Sequence, residues 1–160
     1  MKIHCCATNG RSGHDAAWGL LENAYREETG LPLPPVARTN MGKPYFTEGD
    51  SHFSLSHTKA HAFCVLARGN VGLGAEELSR KIKPKRAERL LSENELAQYR
   101  QAEDQNRALL TFWVLKEAHA KLSGMGLSQV MKKTDFSLRD PRVQEMEGCL
   151  VAVVTEDESQ

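Results

Sequence analysis

The sequence predicts an α+β fold with mainly antiparallel sheets. Three observations carry that expectation: short alternating or apolar strand-like segments, a few longer segments with helical apolar spacing, and the order in which they follow one another. That order is strand–helix–strands, then strand–helices–strands, with no long linker and no obvious repeat.

MKIHCCAT reads as the first strand. In GHDAAWGLLENAYREETG, Ala17, Leu20, Leu21, Ala24 and Tyr25 share one helical face, and Gly30 is the stop. The prolines of LPLPPVA favour an extended linker over residues 31–37. HFSLSHT alternates as a strand, and AHAFCVLARG is its apolar partner. VGLGAE opens the second part as another strand, followed by a helix from Pro84 to about Leu91. Ser92 and Glu95 of SENE form a capping box for a helix through Tyr99. RALLTFWVLKEAHAKLSG is the strongest helix and ends at Gly124; DFSLRD and GCLVAVVTE supply two late strands.

At 160 residues the chain is one compact unit with a real core. Lys plus Arg and Asp plus Glu number 21 each, so no overall field points to nucleic acid or to a membrane surface. Locally, RKIKPKRAER (residues 80–89) holds six basic residues against one acid, and the tail TEDESQ is acidic and expected to fray. No apolar run is long enough to span a bilayer, and the N-terminus lacks the apolar core of a signal peptide. Cys5, Cys6, Cys64 and Cys149 form neither a CxxC pair nor a secreted disulfide pattern, which fits a reducing cytoplasm. Adjacent Cys5 and Cys6 would strain a disulfide.

The chemistry concentrates in FWVLKEAHAKLSGMGLS. Trp113, Glu117 and Lys121 lie along one helical stripe beside an apolar face. Glu117 and Lys121 alone read as an exposed i,i+4 ion pair. Alternatively, the acid holds a divalent cation or accepts a hydroxyl proton while the ammonium balances phosphate charge. Mg²⁺ takes one or two protein carboxylates and completes its shell with water and phosphate oxygens. Glu76 from the strand VGLGAE and Glu117 from the helix fit that pattern if the fold brings them together.

WVLKEAHAKLSGMGLS resembles the W-x-x-K-E-A-x-x-K…G-x-G-L signature of 4′-phosphopantetheinyl transferases. VGLGAE, about forty residues upstream, resembles their V-G-(I/L)-D-x-E strand, while GKPYF and HFSLSHT resemble the G-K-P and F-N-L-S-H-S elements of the longer, monomeric class. The resemblance implies two similar α/β halves related by a pseudo-twofold, about residues 1–69 and 70–160, with coenzyme A between them. It implies transfer of phosphopantetheine from coenzyme A to a serine of an apo acyl or peptidyl carrier protein, with Mg²⁺ and release of adenosine 3′,5′-bisphosphate. Carried over by motif, Glu76 and Glu117 are metal ligands, Glu117 is also the base, and Lys121 meets the coenzyme's phosphates. Lys43, Ser56 and His57 are further coenzyme contacts, and Lys83, Lys85, Arg86 and Arg89 receive the carrier's acidic helix. A cytoplasmic monomer is expected.

Gly74 stands where the family carries a metal-binding Asp. Read as a lost ligand, it lowers activity or raises the Mg²⁺ requirement, and Gly74→Asp restores transfer; a relative that binds coenzyme A or carrier without transferring is the alternative. Read as ordinary strand glycine, it permits close backbone approach. Glu77 points to the opposite strand face and is a poor substitute. His57 and His61 are four apart, but no Cys or further His has ligand spacing, so zinc is not expected. His119 reads as a surface residue, and Arg11 and His14 as a solvated loop before the first helix. Trp18 occupies the place where the longer class has an Arg.

Overall fold

The computed structural model describes residues 1–156. The tail beyond Glu156 lies outside the described residues. Strand β1 (Ile3–Ala7) leads to helix α1 (Gly13–Thr29), which Ser12 caps by accepting from the Asp15 amide and Gly30 ends in the left-handed conformation. A small hairpin follows, β2 (Val36–Arg38) with β3 (Pro44–Phe46), and then the ladder of β4 (His52–His57) with β5 (His61–Ala67). The proline-rich linker therefore ends in a strand, because Val36 and Ala37 find partners in Phe46 and Tyr45.

The second part starts with β6 (Val71–Glu77). A 3₁₀ turn (Pro84–Arg86), α2 (Ala87–Leu90), α3 (Glu93–Gln101), α4 (Gln105–Ser123) and α5 (Leu127–Val130) precede β7 (Val143–Met146) and β8 (Cys149–Thr155). The capping box forms as expected: Ser92 Oγ accepts from the Glu95 amide and Glu95 Oε1 from the Ser92 amide. DFSLRD is not a strand, contrary to expectation. Its amides are taken by side chains of α3: Phe136 N donates to Glu95 Oε2 at 2.8 Å and Leu138 N to Gln98 Oε1 at 3.0 Å. With those donors engaged, the edge strand forms later, as β7.

Two three-stranded antiparallel sheets result, ordered β1-β5-β4 and β6-β8-β7. Each runs first, last, penultimate in its part of the chain. The strand period of two sorts their side chains into three layers of core. Phe63 and Val65 meet Val71, Leu73, Ala75 and Val151 between the sheets. On the outer face of the first sheet, Cys64 and Leu66 pack under Leu21, Ala24 and Tyr25 of α1. On the outer face of the second, Leu150, Ala152 and Val154 pack under Val114, Leu115 and Ala118 of α4. Helix, sheet, sheet, helix is the stacking order, and the α4 side carries the motifs.

A buried ion pair locks that side. Lys116 Nζ lies 2.7 Å from Glu95 Oε1, both side chains wholly inaccessible, and also donates to Met131 O at 2.5 Å and Thr134 Oγ1 at 2.8 Å. The motif lysine therefore ties α3 and the segment after α5 to α4.

Candidate active site

Strand β6 presents Gly72, Gly74 and Glu76 to α4, and its other face to the first sheet. The glycines allow backbone-to-backbone packing. A Cβ on Gly72 would lie 1.8 Å from Ala118 O; one on Gly74 would lie 2.2 Å from Val114 O and 3.0 Å from Glu117 Cβ. The reading of Gly74 as a close-approach glycine thus holds in this structure. A side chain restored there has no space without moving α4, which removes the basis for expecting Gly74→Asp to restore activity.

This packing sets Glu117 beside β6, on the face that Glu76 shares two residues on. The carboxylates sense one another electrostatically. Burial pushes the Glu117 carboxyl up to about 8, with Glu76 adding to the rise; Lys121, Arg80 and Trp113 oppose it. Burial also raises Glu76, against the pull of Arg80, which forms an ion pair with it. Arg80 stacks over Trp113 at 5.0 Å. Burial lowers Lys121, while Glu117 and Glu76 hold its charge; its Nζ donates to Leu55 O at 2.7 Å. The Trp113 indole faces the carboxylates, yet Trp113 Nε1 and Glu117 Oε1 are buried with no hydrogen-bond partner among the described residues.

An unpartnered buried carboxylate oxygen beside a second carboxylate fits a hard cation. Glu76 and Glu117 are the residues that could hold it, and Gly74 adds no donor.

The other expected residues divide. His57 packs against Gly13 at the start of α1, and its pKa is lowered by burial and by the neighbouring charges of Lys121 and His14. It therefore senses the charge of Lys121 while lying against the start of α1. Ser56 is buried on the opposite face of β4, with Ser54, whose Oγ accepts from Leu73 N at 3.0 Å. Lys43 reaches the end of α4, donating to Leu122 O at 3.0 Å and to Asn70 Oδ1 at 2.5 Å. Adjoining hollows of about 260 and 590 Å³ open beside it; Lys43, Phe53 and Gly124 line both, and Lys121 lines the smaller. Lys83, Lys85, Arg86 and Arg89 are exposed. Arg86 and Arg89 flank a separate hollow of about 360 Å³ that reaches Trp113, Leu90 and Met131.

Sequence reasoning missed Arg80 as the partner of Glu76 and Lys116 as a buried anchor. The i,i+4 spacing of Glu76 and Arg80 was the available signal for the first. Nothing local marked Lys116, whose partner Glu95 is twenty-one residues away.

Two acids, a lysine and an arginine along a strand–helix seam, next to a half-apolar hollow, define a site suited to a cation and an anionic ligand. The family model of the 4′-phosphopantetheinyl transferase superfamily matches residues 70–155, more than half of the chain, and the chain belongs to that superfamily. It is also similar to a 4′-phosphopantetheinyl transferase gsp from Aneurinibacillus migulanus, 33% identical over 93 residues, which cover 56% of this chain and 38% of the relative. The matched segment thus spans well under half of that relative's length.

Proposed function

We propose that this chain transfers 4′-phosphopantetheine from coenzyme A to a serine hydroxyl of an apo acyl or peptidyl carrier protein, with adenosine 3′,5′-bisphosphate as the other product. The observation that carries the reading is the convergence of Glu76, Glu117 and Lys121 on one seam, with Glu117 Oε1 left unpartnered. Lys43 and Lys121 border the hollows where the coenzyme would lie and offer positive charge to its phosphates, while His57, whose charged form is disfavoured, would contribute as a hydrogen-bonding imidazole. Glu117 accepts the proton of the attacking hydroxyl as the serine oxygen bonds to phosphorus and the bond to the bisphosphate breaks. Lys121 balances the charge that develops on the phosphoryl oxygens. Mg²⁺, held by Glu76 and Glu117, would neutralise the diphosphate when bound.

The carrier would dock on the exposed bases Lys83, Lys85, Arg86 and Arg89, of which Arg86 and Arg89 flank the hollow that reaches Trp113 near the seam. The shared strand order of the two sheets supports reading residues 1–69 and 70–160 as pseudo-twofold halves. We read the protein as a cytoplasmic monomer. Among the described residues no helix is long and apolar enough to cross a membrane.

The test is incubation with coenzyme A, Mg²⁺ and an apo-carrier, read by mass. A carrier gaining phosphopantetheine, with the gain lost in Glu117→Gln, supports the reading. The second reading, a relative that binds without transferring, rests on the missing donor at Gly74. Coenzyme binding with an unchanged carrier mass would favour it.

A further inference from the structure

A second group of ligand-type side chains lies on the other face of β6, away from Glu76. Glu77 and Cys149 are register partners in the β6–β8 ladder, so the backbone holds their side chains side by side. His61, the first residue of β5, comes across from the facing sheet. Its Nδ1 is 3.6 Å from Glu77 Oε1 and 4.0 Å from Cys149 Sγ, and the three ligand atoms lie within 4.8 Å of one another. Thr58 Oγ1 donates to Glu77 Oε1 at 2.6 Å and accepts from the His61 amide at 3.0 Å, fixing both from behind.

We propose that His61, Glu77 and Cys149 bind a zinc-class divalent cation at the seam between the two sheets. One sulfur, one imidazole nitrogen and one carboxylate oxygen suit Zn²⁺ or Co²⁺ and not Mg²⁺, which takes oxygen ligands only. Tetrahedral Zn²⁺, with bonds of about 2.0–2.3 Å, needs ligand atoms about 3.3–3.6 Å apart, so the widest pair, at up to 4.8 Å, closes by about an ångström or slightly more through side-chain rotation. Cys149 is fully buried, whereas the His61 and Glu77 side chains are 22% and 24% exposed, so the cation enters past them and water takes the fourth position. The bound cation joins β5 of the first sheet to β6 and β8 of the second. It therefore acts on the association of the two halves and leaves the chemistry at Glu117 to the opposite face of β6.

The experiment titrates the full-length, chelator-treated protein with Co²⁺ and then Zn²⁺. One Co²⁺ per chain should bind with a thiolate-to-cobalt charge-transfer absorption, which Zn²⁺ abolishes by displacement and excess Mg²⁺ does not. Zn²⁺ should also raise the melting temperature. Cys149→Ser should remove the absorption. The changes His61→Gln and Glu77→Gln, at partly exposed positions outside the apolar core, should weaken binding about tenfold or more. The proposal is overturned if no sulfur-to-metal absorption forms, if the absorption survives Cys149→Ser, or if both Gln variants bind as tightly as the unaltered chain. Glu76 and Glu117 carry no sulfur and cannot give this signal, so either outcome leaves the transfer assay to stand or fail separately.

Discussion

Gly74 and Val114 pack so closely that a β-carbon on the glycine would sit 2.2 Å from the valine's carbonyl oxygen. Glu117 reaches the strand because nothing projects from residue 74 to hold the helix off. Gly74→Ala is therefore expected to cost about 1–3 kcal/mol in urea unfolding, and Gly74→Asp at least as much, without a gain in transfer. A stable Gly74→Asp protein with faster transfer at limiting Mg²⁺ would show that α4 shifts readily and that the position is a vacant ligand after all.

Arg80 spends its charge on Glu76 in this structure. Replacing it by Met leaves the two carboxylates less compensated, which strengthens the attraction for a cation. The Mg²⁺ concentration giving half-maximal transfer should fall several-fold in Arg80→Met. An unchanged or higher requirement would place Arg80 on the substrate's phosphates instead.

Glu95 and Lys116 are both wholly buried, so each charge depends on the other. Glu95→Ala should destabilise the fold by about 3–5 kcal/mol by stranding the ammonium, and Glu95→Leu with Lys116→Met should recover much of that loss. Denaturant midpoints of the single and double variants decide it. Equal losses in both would mean that the carbonyls of Met131 and Thr134, and not the pairing, dominate.

Asp140 accepts from Arg142 Nη2 at 2.8 Å and Nε at 2.9 Å, and the guanidinium holds its carboxyl below the usual range. A depressed acid binds fewer protons folded than unfolded. Its stabilisation is thus complete above the ordinary value of 3.8 and is lost as pH falls through the lower folded value. Asp140→Asn should cost about 1–2 kcal/mol at pH 7, a difference that shrinks toward zero as pH falls through the depressed folded value. A constant gap across that window in pH-dependent melts would contradict the assignment.

For carrier docking, Lys83→Glu with Arg86→Glu should raise KM for the carrier by an order of magnitude while leaving KM for coenzyme A unchanged, and added salt should shrink the difference. Parallel rises in both constants would move these bases from the docking surface to the coenzyme.

Wherever local chemistry is decisive, the sequence alone was enough. Ser92 with Glu95 ahead of an apolar run can do little but start a helix, and Gly30 and Gly124 stop theirs because only glycine takes the left-handed turn without strain. The spacing of Trp113, Glu117 and Lys121 by itself puts the three side chains on one helical stripe. DFSLRD looked extended from its composition, yet its amides were claimed by Glu95 and Gln98, some forty residues away. Gly74 could be read equally as a lost ligand or a packing glycine, and only the position of α4 separated the two. The meeting of His61 with Cys149, eighty-eight residues later, had no local sign. Periodicity and capping operate within a few residues of chain, whereas burial, ligand sets and ion pairs are decided by which surfaces the sheets and helices turn toward each other.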